Sequence, residues 1–345
     1  MADPQLEIPQ LSLGCELDAS DRVTPVDLGG SPLLLSGQRA VVTPDLTRTN
    51  NFVVDLSTMG RTDFPDGLAV QVAGPGLFLF AEWTIFETNF FLTDGLGYRR
   101  DLARVEGGLS ARRTLRKDDQ IFGQEGEELV LIRETERVLI EQGESVPDSF
   151  GEWSGWIDGT TGGVVVMDPD SAIHRISDPP AIEVMAYPSG VLSTHRSRLS
   201  TFTNEGQFTL WERPAALFPA AAGAFAFALV GPEGPDGAFL VAGQDGLLEM
   251  AVPAHVALPL SAEASKDWII WSAVLGEDAC PRRMGLYAAA IEDGAPLLWL
   301  GSDSTDCAEA GRPAFLIGED DILIVFAKGG SARVRTRDLP RRCSE

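Results

Sequence analysis

His174 and His195 each precede an arginine, in the stretches AIHRIS and STHRSR. An imidazole next to a guanidinium presents several N–H donors to a negative charge, so the two pairs read as an anion-binding cluster repeated on successive units of the chain. The plainer reading makes them solvated strand and turn residues. The only other histidine is His255, which leaves little scope for a metal site built from several imidazoles. No serine or acid is singled out as a triad partner of His195. The stretch DPDSA, Asp168 to Ala172, begins like a calcium loop and then lacks the further carboxylates. Structural Ca²⁺ is thus unsupported, and no cofactor is expected. GxSxG, HExxH, the phosphate-binding GxxxxGK[ST] and a GxGxxG between strand and helix are all absent from the sequence.

A second concentration of donors is YRRDLARVEGGLSARRTLRK, with Arg99, Arg100, Arg104, Arg112, Arg113, Arg116 and Lys117. Clustered guanidinium groups recognise carboxylate or phosphate bidentately, or dock an acidic surface. Arg112, Arg113 and Arg116 are the candidate ligand residues; the competing reading is an outer strand whose arginines pair with neighbouring acids for little energy. Two W-x-x-W pairs, Trp153/Trp156 and Trp268/Trp271, place residues three apart on opposite faces of a strand. One of each pair is expected to pack inward, and Trp156 and Trp271 are the candidates to meet a sugar or peptide.

The elements carrying these groups belong to a chain of 345 residues, 44% hydrophobic and 23% charged, with net charge −24. Such composition buries a sizeable core. The negative field repels phosphate backbones and anionic lipid, which argues against nucleic acid and membrane surfaces as partners. Lys117, Lys266 and Lys328 are the only lysines, and the arginine and alanine bias suggests a GC-rich bacterial source. The most apolar run, PAALFPAAAGAFAFALVG, is broken by Pro and Gly, so no membrane insertion is expected.

Cys15, Cys280, Cys307 and Cys343 show no CxxC and no Cys-His spacing, which disfavours zinc. Four thiols allow three pairings. Cys280 and Cys307 flank one apolar hairpin, MGLYAAAIEDGAPLLWLG, and Cys15 and Cys343 sit near opposite termini, so the expected pairs are Cys280–Cys307 and Cys15–Cys343. That implies an oxidising compartment. The start MADPQLEIPQ has no signal-peptide plan and fits a mature chain after leader removal, hence an extracytoplasmic protein.

Six Asp-Gly dipeptides, at 66–67, 94–95, 158–159, 236–237, 245–246 and 293–294, punctuate short apolar runs, and Asp-Gly between such runs signals a hairpin. Strand–turn–strand units such as FFLTDGLGYRRDL, VVVMDPDSAIHRI and TFTNEGQFTLWER recur at intervals of about 35 to 50 residues. This pattern resembles a β-propeller over nearly the whole chain, at the level of architecture only, with no WD, kelch or NHL consensus; TFTNEGQFTLW is faintly similar to the Asp-box turn of sialidase-like propellers. The expectation is all-β: one domain over 1–345 of seven blades, with eight as the alternative because the stretch from about 118 to 148 is weakly patterned. The last blade, 313–343, offers three strands, so residues 1–20, through LEIPQLSLGCELD, are expected to close the ring beside a Cys15–Cys343 clasp. A propeller with no concentrated catalytic constellation reads as a monomeric, non-catalytic binding or scaffold protein that holds a protein or glycan on one face. The alternative is a glycan-directed hydrolase or lyase with paired carboxylates in the channel.

Overall fold

Short apolar runs bounded by Gly and Asp form the strands. Leu77–Trp83 and Glu87–Thr93, rich in Phe and Leu, pair antiparallel. Gly76, with φ of +66°, makes the turn before them, a backbone state that glycine adopts without strain. The turn after them is set by Asp94, whose Oδ1 accepts the N–H groups of Leu96 and Tyr98 at 2.8 and 2.9 Å. The computed structural model describes residues 8–44, 50–63, 67–83, 87–106, 113–116, 119–125, 128–133, 136–142, 147–176, 180–196, 198–212, 215–218, 227–230, 237–243, 246–253, 256, 259–275, 282–305, 313–326 and 329–343.

These strands form eight separate sheets, each built on an antiparallel meander. Blade one spans 31–63, blade two 68–106, blade three 113–142, blade four 148–176, blade five 183–211, blade six 215–252, blade seven 259–305 and blade eight 314–335. The first strands of successive blades neighbour one another around the whole ring, and Ala314–Ile317 of blade eight returns to Ser31–Ser36 of blade one. The chain is therefore an eight-bladed β-propeller, one blade more than the seven expected. The extra blade is the weakly patterned region: Arg113–Arg116, Gln120–Glu125, Glu128–Arg133 and Glu136–Gln142 form a complete sheet. Its buried set, Ile121, Phe122, Leu129, Val130 and Ile132, sits on the two middle strands. The Glu- and Arg-rich rest forms the short inner and solvated outer strands, which hides the hydrophobic alternation.

Each seam between blades holds one apolar cluster. Val41, Phe78 and Phe80 join blades one and two; Phe122, Trp156 and Val165 join three and four; Trp153, Val166 and Val191 join four and five; Phe239, Ile269 and Trp271 join six and seven; Trp268, Ile270 and Phe315 join seven and eight. Period-two alternation sends one strand face to the preceding blade and the other to the following blade, so middle strands are apolar on both faces.

The ring closes through the N-terminal segment, in a different way from that expected. The fourth strand of blade eight is Thr24–Val26, antiparallel to Ser331–Arg335. The expected closing segment lies alongside: Gln10–Leu11 and Leu13–Asp18 add as parallel fifth strands to the outer edges of blades six and seven. Ser12 fixes this strap by donating its N–H and hydroxyl to Asp293 at 2.9 and 2.8 Å. Cys15 is bonded to Cys343, a link across 328 residues. Cys280 and Cys307 lie outside the described residues. No helix of the described chain is long and apolar enough to cross a membrane.

Candidate binding face

In a four-stranded meander the turns after the first and third strands fall at one end, and those after the second strand and between blades fall at the other. The propeller thus has a turn face and a connection face. Arginines stitch the turn face from blade to blade. Arg39 of blade one reaches Gly76 O and Asp94 O of blade two, both at 3.3 Å, and the Asp94 carboxylate at 3.4 Å. Arg333 of blade eight is held bidentately by buried Asp321 at 2.6 and 2.8 Å and donates to Leu56 O of blade one. Arg341 of the C-terminal tail pairs with Glu292 in a turn of blade seven and lies over the Trp268 ring.

Arg116, a candidate ligand residue, is another of these stitches. It is 4% exposed and donates to Glu152 O at 3.0 Å, Asp168 O at 2.7 Å and Gln120 at 3.1 Å. Its guanidinium caps two turns of blade four. The side chain of Arg113 and all of Arg112 lie outside the described residues. The earlier arginines of the same run pair along and beside the outer strand of blade two: Arg99 with Glu82 and Asp101, Arg100 with Asp119, Arg104 with Glu87. These are exposed pairs, the bland reading of that stretch.

His174 lies beside the Arg116 stitch. Its Nε2 is 2.7 Å from Asp168 Oδ2, and its ring packs on Phe202 of blade five at 4.9 Å between centroids. Asp168 makes the turn by accepting the N–H groups of Asp170 and Ala172, each at 2.9 Å. Burial pushes its carboxyl up, but His174 and those N–H groups outweigh it and hold the group below the usual carboxylate range. Arg116, Asp168 and His174 are therefore one assembly, whereas His195 lies in blade five at the connection end, 3% exposed and 3.2 Å from Ser193 Oγ. The two histidines do not form a common cluster.

Trp156 and Trp271 are both fully buried. Trp156 packs against Phe122 with the rings tilted by 51° and donates to Glu141; Trp271 contacts Phe239 and Tyr287 and donates to Val256 O at 3.1 Å. The expectation that one member of each pair turns outward is corrected: each pair sends one indole to the preceding seam and one to the following seam. Packed in this way, neither candidate tryptophan presents a ring to a ligand.

The first strands carry two unusual buried acids. Asp148, on the first strand of blade four, is desolvated so that its pKa rises to about 6, although it accepts the N–H groups of Ala186 and Ser149. Glu263, on the first strand of blade seven, is pushed well above the usual range by burial and accepts the Ile317 N–H at 3.1 Å. Each bonds to the first strand of the next blade, and both shift in the same direction. Half-buried side chains on the described first strands are chiefly apolar, among them Leu34, Val70, Leu115, Val184, Ala262 and Leu316. Among the described residues no group of three or more His, Cys, Asp or Glu side chains is placed to hold a metal ion.

What the sequence reading missed is exposed apolar surface on the turn face. Met59 in blade one and Leu96 and Tyr98 in blade two are 44%, 48% and 46% exposed, and Ile173 follows the Asp168 turn of blade four. Among the described residues, the three non-glycine positions with positive φ, Met59 at 58°, Asp119 at 61° and Ser171 at 65°, lie in turns of this face in blades one, three and four. Such backbone states carry strain and cluster at sites of function. Gly95 and Gly97 beside Leu96 were the only legible signal, because they mark a turn that lifts its apolar residues out of the core.

No family model matches this chain, and no curated protein matches it in sequence. Among solved structures it is similar to a prolyl endopeptidase at 11% identity, covering 88% of this chain and 54% of the other with a TM-score of 0.48. It is similar to Hsv2 of Kluyveromyces lactis at 10% identity, covering 78% and 96%, TM-score 0.47. A third is virginiamycin B lyase from Staphylococcus aureus at 8% identity, covering 91% and 98%, TM-score 0.44. These likenesses concern the fold alone and carry nothing about activity.

Proposed function

We propose that this chain is a rigid, non-catalytic binding platform that works outside the cytoplasm and holds a protein partner on the turn face of blades one to four. The observation that carries this reading is the set of exposed apolar side chains Met59, Leu96, Tyr98 and Ile173, raised on turns that Asp55, Asp94 and Asp168 tie down. Rigid turns lower the ordering cost of association, and apolar anchors ringed by paired ions are how protein interfaces are built. Tyrosine adds a large contact area with few rotors. The net charge of −24 favours a partner with a basic surface. A protein is preferred to a glycan because Trp156 and Trp271, which would stack on sugars, are buried. The Cys15–Cys343 bond is the support for an oxidising compartment.

The test is capture from the native cell-envelope fraction with the oxidised protein, run in parallel with a Met59→Asp, Leu96→Asp, Tyr98→Asp variant. One basic protein retained near stoichiometry by the wild type and lost by the variant is the expected result. Retention by both, or by neither, ends this reading, and an unchanged melting temperature shows that the variant is folded.

A further inference from the structure

The outer edges of blades six and seven are treated differently from those of the other blades. Among the described residues every blade is complete with four strands, and blades six and seven alone carry a fifth, supplied in parallel by Gln10–Leu11 and Leu13–Asp18. The ring does not need these strands, because Thr24–Val26 closes it further along the chain. Between the two, Ala19 is buried and donates its N–H to Trp299 O at 2.8 Å. The strap before Ala19 is thus an addition to a finished propeller, joined to it at a fixed point.

The strap is seated as an extended ligand would be. Leu11, Leu13, Cys15 and Leu17 are half-buried, and Ser12, Gly14, Glu16 and Asp18 are exposed, the alternation of a strand with one packed flank. Leu11 and Leu13 pack on the six–seven seam and Leu17 on the seven–eight seam. Pro9 O and Ser12 O accept the N–H groups of Glu249 and Gly294 at 2.9 and 2.8 Å. The ladder covers two residues on blade six and breaks on blade seven between Leu13 and Glu16. Cys15 lies in that break, so its bond to Cys343 holds the strap where the ladder does not. Gly14 lets the strand pass there, since a Cβ would stand 2.6 Å from Gly294 O and 3.0 Å from Cys343 Sγ.

Without the strap, Gly246–Val252 and Ala295–Thr305 present two neighbouring unpaired edges, and such edges recruit extended segments. We propose that the strap is a redox-released cover of this edge site. A dithiol reductant opens Cys15–Cys343, the strap leaves, and the edges take an extended segment of another protein that carries apolar residues at alternate positions, as the strap does. A reductant thiolate attacks one sulfur to form a mixed disulfide, and its second thiol resolves that bond. Two electrons pass to the protein, which ends with two thiols, while the reductant ends as a disulfide. Cys15 and Cys343 are both half-buried, which leaves the bond within reach of a small dithiol. The site lies on the outer rim and does not depend on the platform reading.

The test is amide exchange of the full chain with and without dithiothreitol, together with binding of a labelled peptide of residues 8–18 carrying Cys15→Ser. On reduction the rate gain at the Glu249 and Gly294 amides, which the strap caps, should exceed that at Ile269 and Ile270 in a middle strand of blade seven by at least about tenfold. The peptide should bind the reduced chain saturably and the oxidised chain not at all. Leu13→Asp with Leu17→Asp in the peptide should weaken binding by more than about tenfold. A Cys15→Ser, Cys343→Ser variant should match the reduced wild type without reductant, which keeps any Cys280–Cys307 link out of the result. No gain at Glu249 and Gly294 overturns the proposal, because the strap then stays seated. An equal gain at all four amides overturns it too, since the strap then opens only with the ring, and so does a released strap with no peptide binding.

Discussion

Individual polar groups in this propeller divide by whether the fold has withdrawn them from water, and the sign of their effects follows. Asp148 has a folded pKa of about 6 against 3.8, so the native state holds its proton more tightly than the unfolded chain does. Its contribution is fully present below pH 3.8 and is lost as pH rises through about 6; above that, the charged form costs on the order of 2–3 kcal/mol. Asp148→Asn keeps an acceptor for the Ala186 N–H and removes that cost. The variant should melt higher than wild type at pH 8 and close to it at pH 3.5, and equal melting temperatures at both pH values would mean that the carboxylate is hydrated. Arg116 behaves in the opposite way from its surface neighbours. Arg116→Met should lower stability by about 2–4 kcal/mol because two turn carbonyls of blade four lose a charged donor, while Arg100→Ala should change it by less than about 0.5 kcal/mol; denaturant unfolding of the two variants compares them directly. The sequence showed all of these arginines as one run. Only the three-dimensional placement separates a buried stitch from an exposed pair, since both lie in one arginine-rich stretch.

At the scale of elements, the strands were legible and their blade membership was less so. Runs such as GLFLFAEW and DWIIWSAVLG carry their own hydrophobic signal, and Leu77–Trp83 and Trp268–Leu275 are strands where those runs predict them. Arg113–Arg116 is short and polar because it lies at the inner edge of blade three, and outer strands have one solvated flank, so the pattern fades there. The N-terminal strand was misplaced for a related reason. TPV at 24–26 is too short to carry a pattern, whereas LEIPQLSLGCELD looks like an ordinary edge strand and in fact adds as a fifth, parallel one. Close approach between blades was invisible in sequence as well. A Cβ at Gly155 would stand 2.6 Å from Val191 and 2.8 Å from Val184 across the blade four–five seam. Gly155→Ala should therefore destabilise by about 1–3 kcal/mol through overpacking, and restoring space with Val191→Ala should recover part of the loss. Two additive penalties in a double-mutant cycle would show that the seam does not close on this glycine.

The whole ring is held shut at two levels, and their energies can be separated. The antiparallel pairing of Thr24–Val26 with Ser331–Arg335 completes blade eight without a covalent bond. The Cys15–Cys343 bond then joins the strap to the C-terminal tail. In the chain-entropy account a loop of this length contributes on the order of 5 kcal/mol, acting on the unfolded chain. The pairing of Cys280 with Cys307, expected from the sequence, is proposed as a second, local link. The described hairpin keeps one register through Arg282↔Thr305, Arg283↔Ser304 and Met284↔Asp303; Cys280 and Cys307 lie beyond it in sequence, outside the described residues. A non-reducing peptide map should recover the two linked peptides Cys15–Cys343 and Cys280–Cys307, and a free thiol at either of the latter positions would remove the local link. If both bonds form, their removal should separate by loop size: Cys15→Ser should cost up to about 5 kcal/mol, and Cys280→Ser, opening a loop of roughly 28 residues, about 3–4 kcal/mol. The difference should vanish under a reducing agent, where wild type and both variants share an open unfolded chain. Equal costs under oxidising conditions would instead mean that the terminal bond carries native strain, and that Thr24–Val26 alone closes the ring.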